Sequence, residues 1–266
     1  MPNHFNWRSI DANYASVYDD FRGGYAPQSI HHILQRANIT SRSSVILDLA
    51  CGTGAVLREM FSEAHLLIGM DAAGPMLKQV QTRYSDQESG LCLACANGEQ
   101  LPLATDCIDL VTIGQAIHWF NLPTLLAGLR RVLCPGGWLA VLSRYPSPAG
   151  RLQALVEQLR YPFTEEGRQG IPVWSTMSAP SNLLGLERAG FVDYERAVFQ
   201  HEMELTISGY LRGMVDRNKR HALTPEDLAV FSAALEEELK ITAPGGGFRE
   251  VFFDYVFMAR KAQNPG

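Results

Sequence analysis

The stretch Val45-Ile46-Leu47-Asp48-Leu49-Ala50-Cys51-Gly52-Thr53-Gly54 decides the fold. A mostly apolar, strand-forming run passes into a Gly-x-Gly turn, and Ala55 to Phe61 reads as the helix beyond it. In open α/β sheets, ligands bind at the carboxyl ends of strands beside such turns. Glycine lets the backbone approach a ligand closely, and a helix start offers unpaired N–H groups. The next apolar run, Leu66-Leu67-Ile68-Gly69-Met70, ends in Asp71, seventeen positions after Gly54. A carboxylate at that strand end can accept both hydroxyls of a ribose, so one reading is a ligand that contains a nucleoside. A dinucleotide fingerprint would need a third glycine where Leu57 stands. Asp48, just before the turn, would repel a pyrophosphate and suits a cation such as a sulfonium or an amino group.

The alternation continues outward. Cys92 to Ala96, Ile108 to Ile113 and Gly137 to Ser143 read as strands, and Pro75 to Tyr84 and Leu122 to Leu133 as helices. Residues 11–37 read as two short helices ahead of the first strand. Strands alternating with helices predict a parallel sheet covered on both faces, and right-handed crossovers make it doubly wound. Past Arg144 the pattern loosens around Pro146, Pro148, Pro162, Pro172 and Pro180. Phe191 to Glu204 and Val251 to Arg260 read as late strands, and Ile207 to Arg217 and Pro225 to Lys240 as helices. The expected organisation is N-terminal helices with a Rossmann-like cofactor-binding core over residues 1–144. Mostly helical cap segments, interleaved with the last strands of the core, follow over 145–266.

Composition narrows the classes. Of 266 residues, 46% are hydrophobic and 19% charged, as in a globular chain rather than a disordered one. The formal net charge of −5 argues against a broad phosphate-binding surface, so no nucleic-acid partner is expected. Five cysteines are few and odd in number, which argues against a disulfide framework. Cys92 and Cys95 read as part of a buried strand, because no second Cys/His pair at zinc spacing follows; no metal is expected. No apolar run approaches the roughly 18 residues of a membrane span. The N-terminus lacks the apolar core of a signal peptide. A cytoplasmic protein, monomer or homodimer, with a small-molecule partner is the expectation.

Taken in order, the motifs resemble those of class I S-adenosylmethionine-dependent methyltransferases over about residues 14–143. Asp48 to Gly54 matches the family's first motif, with Ala50 where glycine is commonest. Asp71, followed by Ala72-Ala73-Gly74-Pro75-Met76-Leu77, matches the second. Ala96-Asn97-Gly98-Glu99-Gln100-Leu101-Pro102 matches the third, with Asn97 where the family usually has Asp. Leu133-Cys134-Pro135-Gly136-Gly137-Trp138-Leu139 resembles the turn into the fifth strand. The resemblance implies a seven-stranded sheet whose last strand is antiparallel. It implies S-adenosyl-L-methionine as cofactor and S-adenosyl-L-homocysteine as product. The implied cofactor contacts are Asp48, Ala50, Gly52 and Gly54, Asp71 and Ala72 at the ribose, Asn97 and Gly98 at the adenine, and Tyr18 over the methionine part.

A narrower resemblance is Gln115-Ala116-Ile117-His118-Trp119-Phe120-Asn121, which looks like the loop after the fourth strand in the trans-aconitate-methyltransferase-like group. It adds Gln115 to the cofactor contacts. His118, at the mouth of the sheet, is the first candidate for a base or acceptor-positioning group, since imidazole titrates near neutrality. Trp119 can wall the pocket, and an aromatic face suits a sulfonium. Arg22, Arg144 and Arg212 suit an acidic substrate through a planar fork. Tyr210 lies in Gly209-Tyr210-Leu211-Arg212, which resembles a cap helix of that group and joins the substrate candidates. The expected activity is methyl transfer to a small molecule, oxygen favoured as acceptor atom, and the idiosyncratic cap points to a specialised metabolite. The alternatives are N- or C-methylation, or a cofactor-binding protein on the same fold that transfers nothing, as a partner or a cyclisation catalyst.

Overall fold

The computed structural model describes residues 10–18, 22–40, 43–85, 90–147, 155–156, 159, 185–220 and 224–263. Its centre is a seven-stranded sheet. The strands are β1 (Val45–Leu49), β2 (Leu66–Asp71), β3 (Leu91–Cys95), β4 (Ile108–Gly114), β5 (Leu133–Pro146), β6 (Phe191–Thr206) and β7 (Gly247–Lys261). They lie in the order β3-β2-β1-β4-β5-β7-β6. β1 to β5 pair in parallel, and β7 runs antiparallel to both of its neighbours. The order reverses between β1 and β4, and that reversal is where an α/β sheet opens a crevice. The doubly wound class I methyltransferase architecture expected from the motifs is therefore present.

Apart from Asp48, β1 reads as an apolar run because both of its faces are covered. On one face, Ile30 and Ile33 of α2 (Pro27–Arg36) and Leu77 and Val80 of α3 (Gly74–Arg83) pack against Ile46, Leu110 and Leu142. On the other, Leu125, Leu126 and Leu129 of α4 (Leu122–Val132) pack against Leu47, Val111 and Val141. Short α1 (Ala12–Val17) lies against α3, started by Asp11, whose carboxylate accepts from the Tyr14 N–H at 2.7 Å. Between β6 and β7 the chain inserts α5 (Ile207–Arg220) and α6 (Pro225–Thr242). These helices share a separate core with Leu205, Tyr210, Met214, Phe231, Leu235 and Leu239. Much of 145–180, the other expected cap segment, lies outside the described residues.

Two local expectations are corrected. The helix expected over Ala55 to Phe61 is only a 3-10 turn at Leu57–Glu59. Gly54 enters at φ +89 and Met60 leaves at φ −123, which leaves room for one turn, and isolated turns tighten to i→i+3 bonding. Cys92 and Cys95 are exposed free thiols rather than buried ones, because β3 is an outer strand of the sheet.

Candidate active site

The carboxyl ends of β1, β2, β3 and β4 open into a cavity of about 250 Å³. Its walls are Ala50 and Gly52 after β1, Asp71 and Ala72 at β2, Asn97 and Gly98 after β3, and Gln115 and Trp119 after β4. Tyr18 and Arg22 close it from the N-terminal side, with the Arg22 guanidinium 5.2 Å from the Tyr18 ring centroid. A smaller cavity, about 60 Å³, continues inward past Gly52 and Gln115 and reaches Asp48, Tyr25 and Arg144.

Backbone geometry shapes the mouth. Gly52 has φ +55, and a Cβ built on it would meet nothing of the protein within 4 Å. That space opens on the cavities Gly52 lines, so its left-handed backbone conformation rather than packing favours glycine here. Ala50 and Gln115 also have positive φ, both 56°, a conformation that strains a residue with a Cβ and concentrates at functional sites. Gln115 is held there by its Nε2, which donates to the Arg144 carbonyl on β5 at 2.6 Å.

Asp71 is clamped by the chain itself. Its Oδ2 accepts from the Gly52 N–H and its Oδ1 from the Ala73 N–H, each at 2.8 Å. Burial pushes its carboxyl above the usual range, and these backbone donors oppose the push. The result is a fixed acceptor on the cavity wall. Asn97 is exposed, and its Oδ1 accepts from the Glu99 N–H at 3.0 Å, so its amide is oriented by its own turn. Gly98 is buried, and a Cβ there would lie 2.7 Å from Phe120 Cε1 and 3.0 Å from Leu49 Cδ1.

The inner cavity carries charge of both signs. Asp48 is 1% exposed; its Oδ1 accepts from the Thr112 hydroxyl at 2.7 Å, and its Oδ2 has no hydrogen-bond partner. Burial pushes its carboxyl up to about 7, aided by the charge of Asp71 and opposed by Thr112. A buried, half-satisfied carboxyl is costly unless something donates to it. Arg144 stands in the same cavity. One guanidinium N–H donates to the Gly24 carbonyl, and the group lies over the rings of Tyr25 and Phe252, at 5.8 and 5.5 Å. Burial lowers its pKa. Burial raises that of Tyr25, against the pull of Arg144.

Of the expected site residues, the two cavities gather Tyr18, Arg22, Asp48, Ala50, Gly52, Asp71, Ala72, Asn97, Gly98, Gln115, Trp119 and Arg144. Gly54, His118, Tyr210 and Arg212 line neither cavity. Gly54 makes the turn below, where a Cβ would sit 3.3 Å from Val80 and Tyr84. His118 is exposed, its ring 4.6 Å from that of Trp119. Tyr210 packs in the core of the cap, 5.5 Å from the Phe248 ring, and Arg212 is exposed on α5. Sequence reasoning missed Thr112 and Tyr25. Thr112 stands opposite Asp48 in the β1–β4 register, and a hydroxyl inside the apolar run Leu110 to Ile113 was the available signal. Among the described residues no group of three His, Cys, Asp or Glu could hold a metal, and no helix is long and apolar enough to cross a membrane.

A fixed carboxylate on the wall, a glycine-lined floor, and an inner pocket with one half-satisfied carboxyl and two arginines form a set that fits S-adenosylmethionine. Residues 47–141 match a family model described as a methyltransferase domain. An uncharacterized methyltransferase of Schizosaccharomyces pombe is 23% identical over 254 residues, covering 92% of this chain and 93% of that protein. A malonyl-[acyl-carrier protein] O-methyltransferase of Dechloromonas aromatica is 32% identical over 123 residues, 45% of this chain and 41% of that protein. Among solved structures, a putative type II methyltransferase from Anaeromyxobacter dehalogenans superposes with a TM-score of 0.61 at 17% identity, covering 92% of this chain and all of that one. Haemonchus contortus phosphoethanolamine N-methyltransferase 2, solved with S-adenosyl-L-methionine, gives 0.55 at 16% identity, covering 98% of this chain and 61% of that one. The domain match falls on the strands that build the larger cavity, the fold is that of class I methyltransferases, and the cofactor fits the residues present: residues 47–141 carry a methyltransferase domain, with S-adenosylmethionine as its cofactor.

Proposed function

We propose that this methyltransferase acts on a small-molecule acceptor, a specialised metabolite, and that oxygen is the atom methylated. The observation that carries the reading is the pair of adjoining cavities, sharing Gly52 and Gln115, at the switch point of the sheet. Asp71 is assigned to the ribose hydroxyls, Ala72, Asn97 and Gly98 to the adenine side, and Ala50, Gly52, Gln115 and Tyr18 to the middle of the cofactor. Arg22 and Arg144, expected on the substrate side, stand with Asp48 around the inner cavity. They are assigned to the amino-acid end of the cofactor: Asp48 Oδ2 faces the ammonium, and the guanidinium groups face the carboxylate. Trp119 keeps its assignment to the wall between cofactor and acceptor.

The cofactor, when bound, supplies a methyl group on a positively charged sulfur. The chain's own contribution is alignment and dryness. Orientation of this kind is worth roughly 7–11 kcal/mol in favourable cases. Among the described residues lining the two cavities there is no histidine and no lysine. An acceptor oxygen that is already anionic, such as a carboxylate, needs no base, which favours O-methylation. His118 is retained only as an acceptor-positioning group outside the cofactor cavity. Residues 1–144 are read as the cofactor half, and 145–266 as the part that selects the acceptor.

The test uses S-adenosylmethionine with an isotopically labelled methyl group, incubated with the purified protein and a panel of carboxylic acids, phenols and amines, with products read by mass spectrometry. Label on oxygen supports the reading. Label confined to nitrogen or carbon, or firm cofactor binding without transfer across the panel, overturns it.

A further inference from the structure

Asp254 on β7 is fully buried and lies in the wall of neither cavity. Groups from three other elements face it. Its Oδ2 accepts from the Ala26 N–H at 2.6 Å and from the Ser29 hydroxyl at 3.0 Å, at the entry and first turn of α2. Its Oδ1 lies 3.2 Å from His201 Nε2 on β6. In the β5–β7 register it stands directly opposite Arg144. Its charge favours the protonated guanidinium, against the burial that disfavours it.

The consequence falls on three consecutive residues. Arg144 donates to the Gly24 carbonyl, and Asp254 accepts from the Ala26 N–H. Tyr25, between these two ties, is clamped on both sides, and its side chain lines the inner cavity. A tie between α2 and the sheet alone would need only the Ser29 or Ala26 bond. A carboxylate buried this deeply costs stability unless charge and hydrogen bonds compensate it, and here the charge falls opposite a cavity-lining arginine.

We propose that Asp254 is a positioning residue for the amino-acid end of the cofactor. It touches no ligand; it holds Arg144 and Tyr25 in the inner wall so that a carboxylate meets a fixed guanidinium. This rests on the assignment of the inner cavity made above.

The test compares two probes by calorimetry: S-adenosylhomocysteine, and 5′-methylthioadenosine, which keeps the thionucleoside and lacks the amino-acid end. Wild-type protein prefers S-adenosylhomocysteine. Asp254→Asn keeps the shape and removes the charge. It should lower that preference about tenfold, the factor set by the loss of one charge-assisted contact, with methylthioadenosine affinity within about twofold of wild type. Ser29→Ala, which loosens the same carboxylate and leaves its charge, should lower the preference by about two- to threefold. A general loss of stability would weaken both probes alike and would not move the ratio. Asp254→Asn with the wild-type preference overturns the proposal. Should that variant not fold, Ser29→Ala with an unchanged ratio overturns it. Wild-type protein that binds the two probes equally overturns the inner-cavity assignment itself, and the role of Asp254 with it.

Discussion

Asp48→Asn should make the ligand-free protein more stable at alkaline pH while weakening its hold on the cofactor. The folded carboxyl titrates at about 7, against an ordinary value of 3.8, chiefly because it is buried. A folded state that holds its proton more tightly than the unfolded chain is favoured at low pH. The contribution is therefore fully present below 3.8, is lost progressively as pH rises, and is gone above about 7. Each unit between those limits is worth about 1.4 kcal/mol, which puts the whole loss at about 4 kcal/mol. Asparagine cannot ionise, so the variant escapes that loss and keeps an oxygen for the Thr112 hydroxyl. Urea unfolding from pH 4 to 9 should show the variant gaining on wild type steadily up to pH 7 and holding its advantage beyond. An offset between the two proteins that does not change with pH would refute the reasoning, because it would mean that Asp48 does not titrate between the folded and unfolded values. Affinity for S-adenosylhomocysteine should move the other way at pH 8, since an ammonium would then face a neutral amide; stability and function oppose each other at this position.

Other positions give sharper or simpler outcomes. Asp71→Asn should weaken S-adenosylhomocysteine by about 10- to 100-fold, the range expected from losing charge-assisted bonds to a diol; calorimetry with unchanged affinity removes the ribose assignment. Ala50→Gly should raise stability by about 1 kcal/mol or more in denaturant unfolding, because φ +56 penalises a Cβ and glycine adopts it freely. Gly98→Ala should weaken S-adenosylhomocysteine, since the new methyl would lie 2.7 Å from Phe120 Cε1 and force that ring into the cavity it lines. His118→Ala should leave S-adenosylhomocysteine affinity unchanged, and a loss would place the imidazole at the cofactor instead of outside it.

The readable part of this protein is the part whose chemistry is local. Asp48, Gly52 and Asp71 each sit at a strand end that a short apolar run announces, so their convergence follows from parallel pairing alone. The strand alternation predicts the order of elements for the same reason. The failures have a common cause in interactions that cross the sequence. Cys92 and Cys95 look buried because their strand is apolar, and only the sheet order, with β3 outermost, exposes them. Ala55 to Phe61 has helical spacing, yet the turn at Gly54 and the exit at Met60 leave it a single 3-10 turn.

Arg144 shows the same limit at the level of function. Its side chain reads from sequence as a general anion receptor, and nothing near it in the chain says which anion. Its position is decided by Gly24, 120 residues before it, and by Asp254, which the antiparallel β5–β7 pair sets across from it. Asp254 in turn reaches back 228 residues to the Ala26 amide. That antiparallel strand therefore does more than extend the sheet. It brings a buried charge to the stretch Gly24 to Ala26, where the N-terminal segment passes the inner cavity. A chain that ended after β5 would keep Asp48, Gly52 and Asp71 in their places and lose the anchor of Arg144 and Tyr25. On this reasoning the nucleoside half of the site belongs to the parallel strands and the amino-acid half to the union of both ends of the chain.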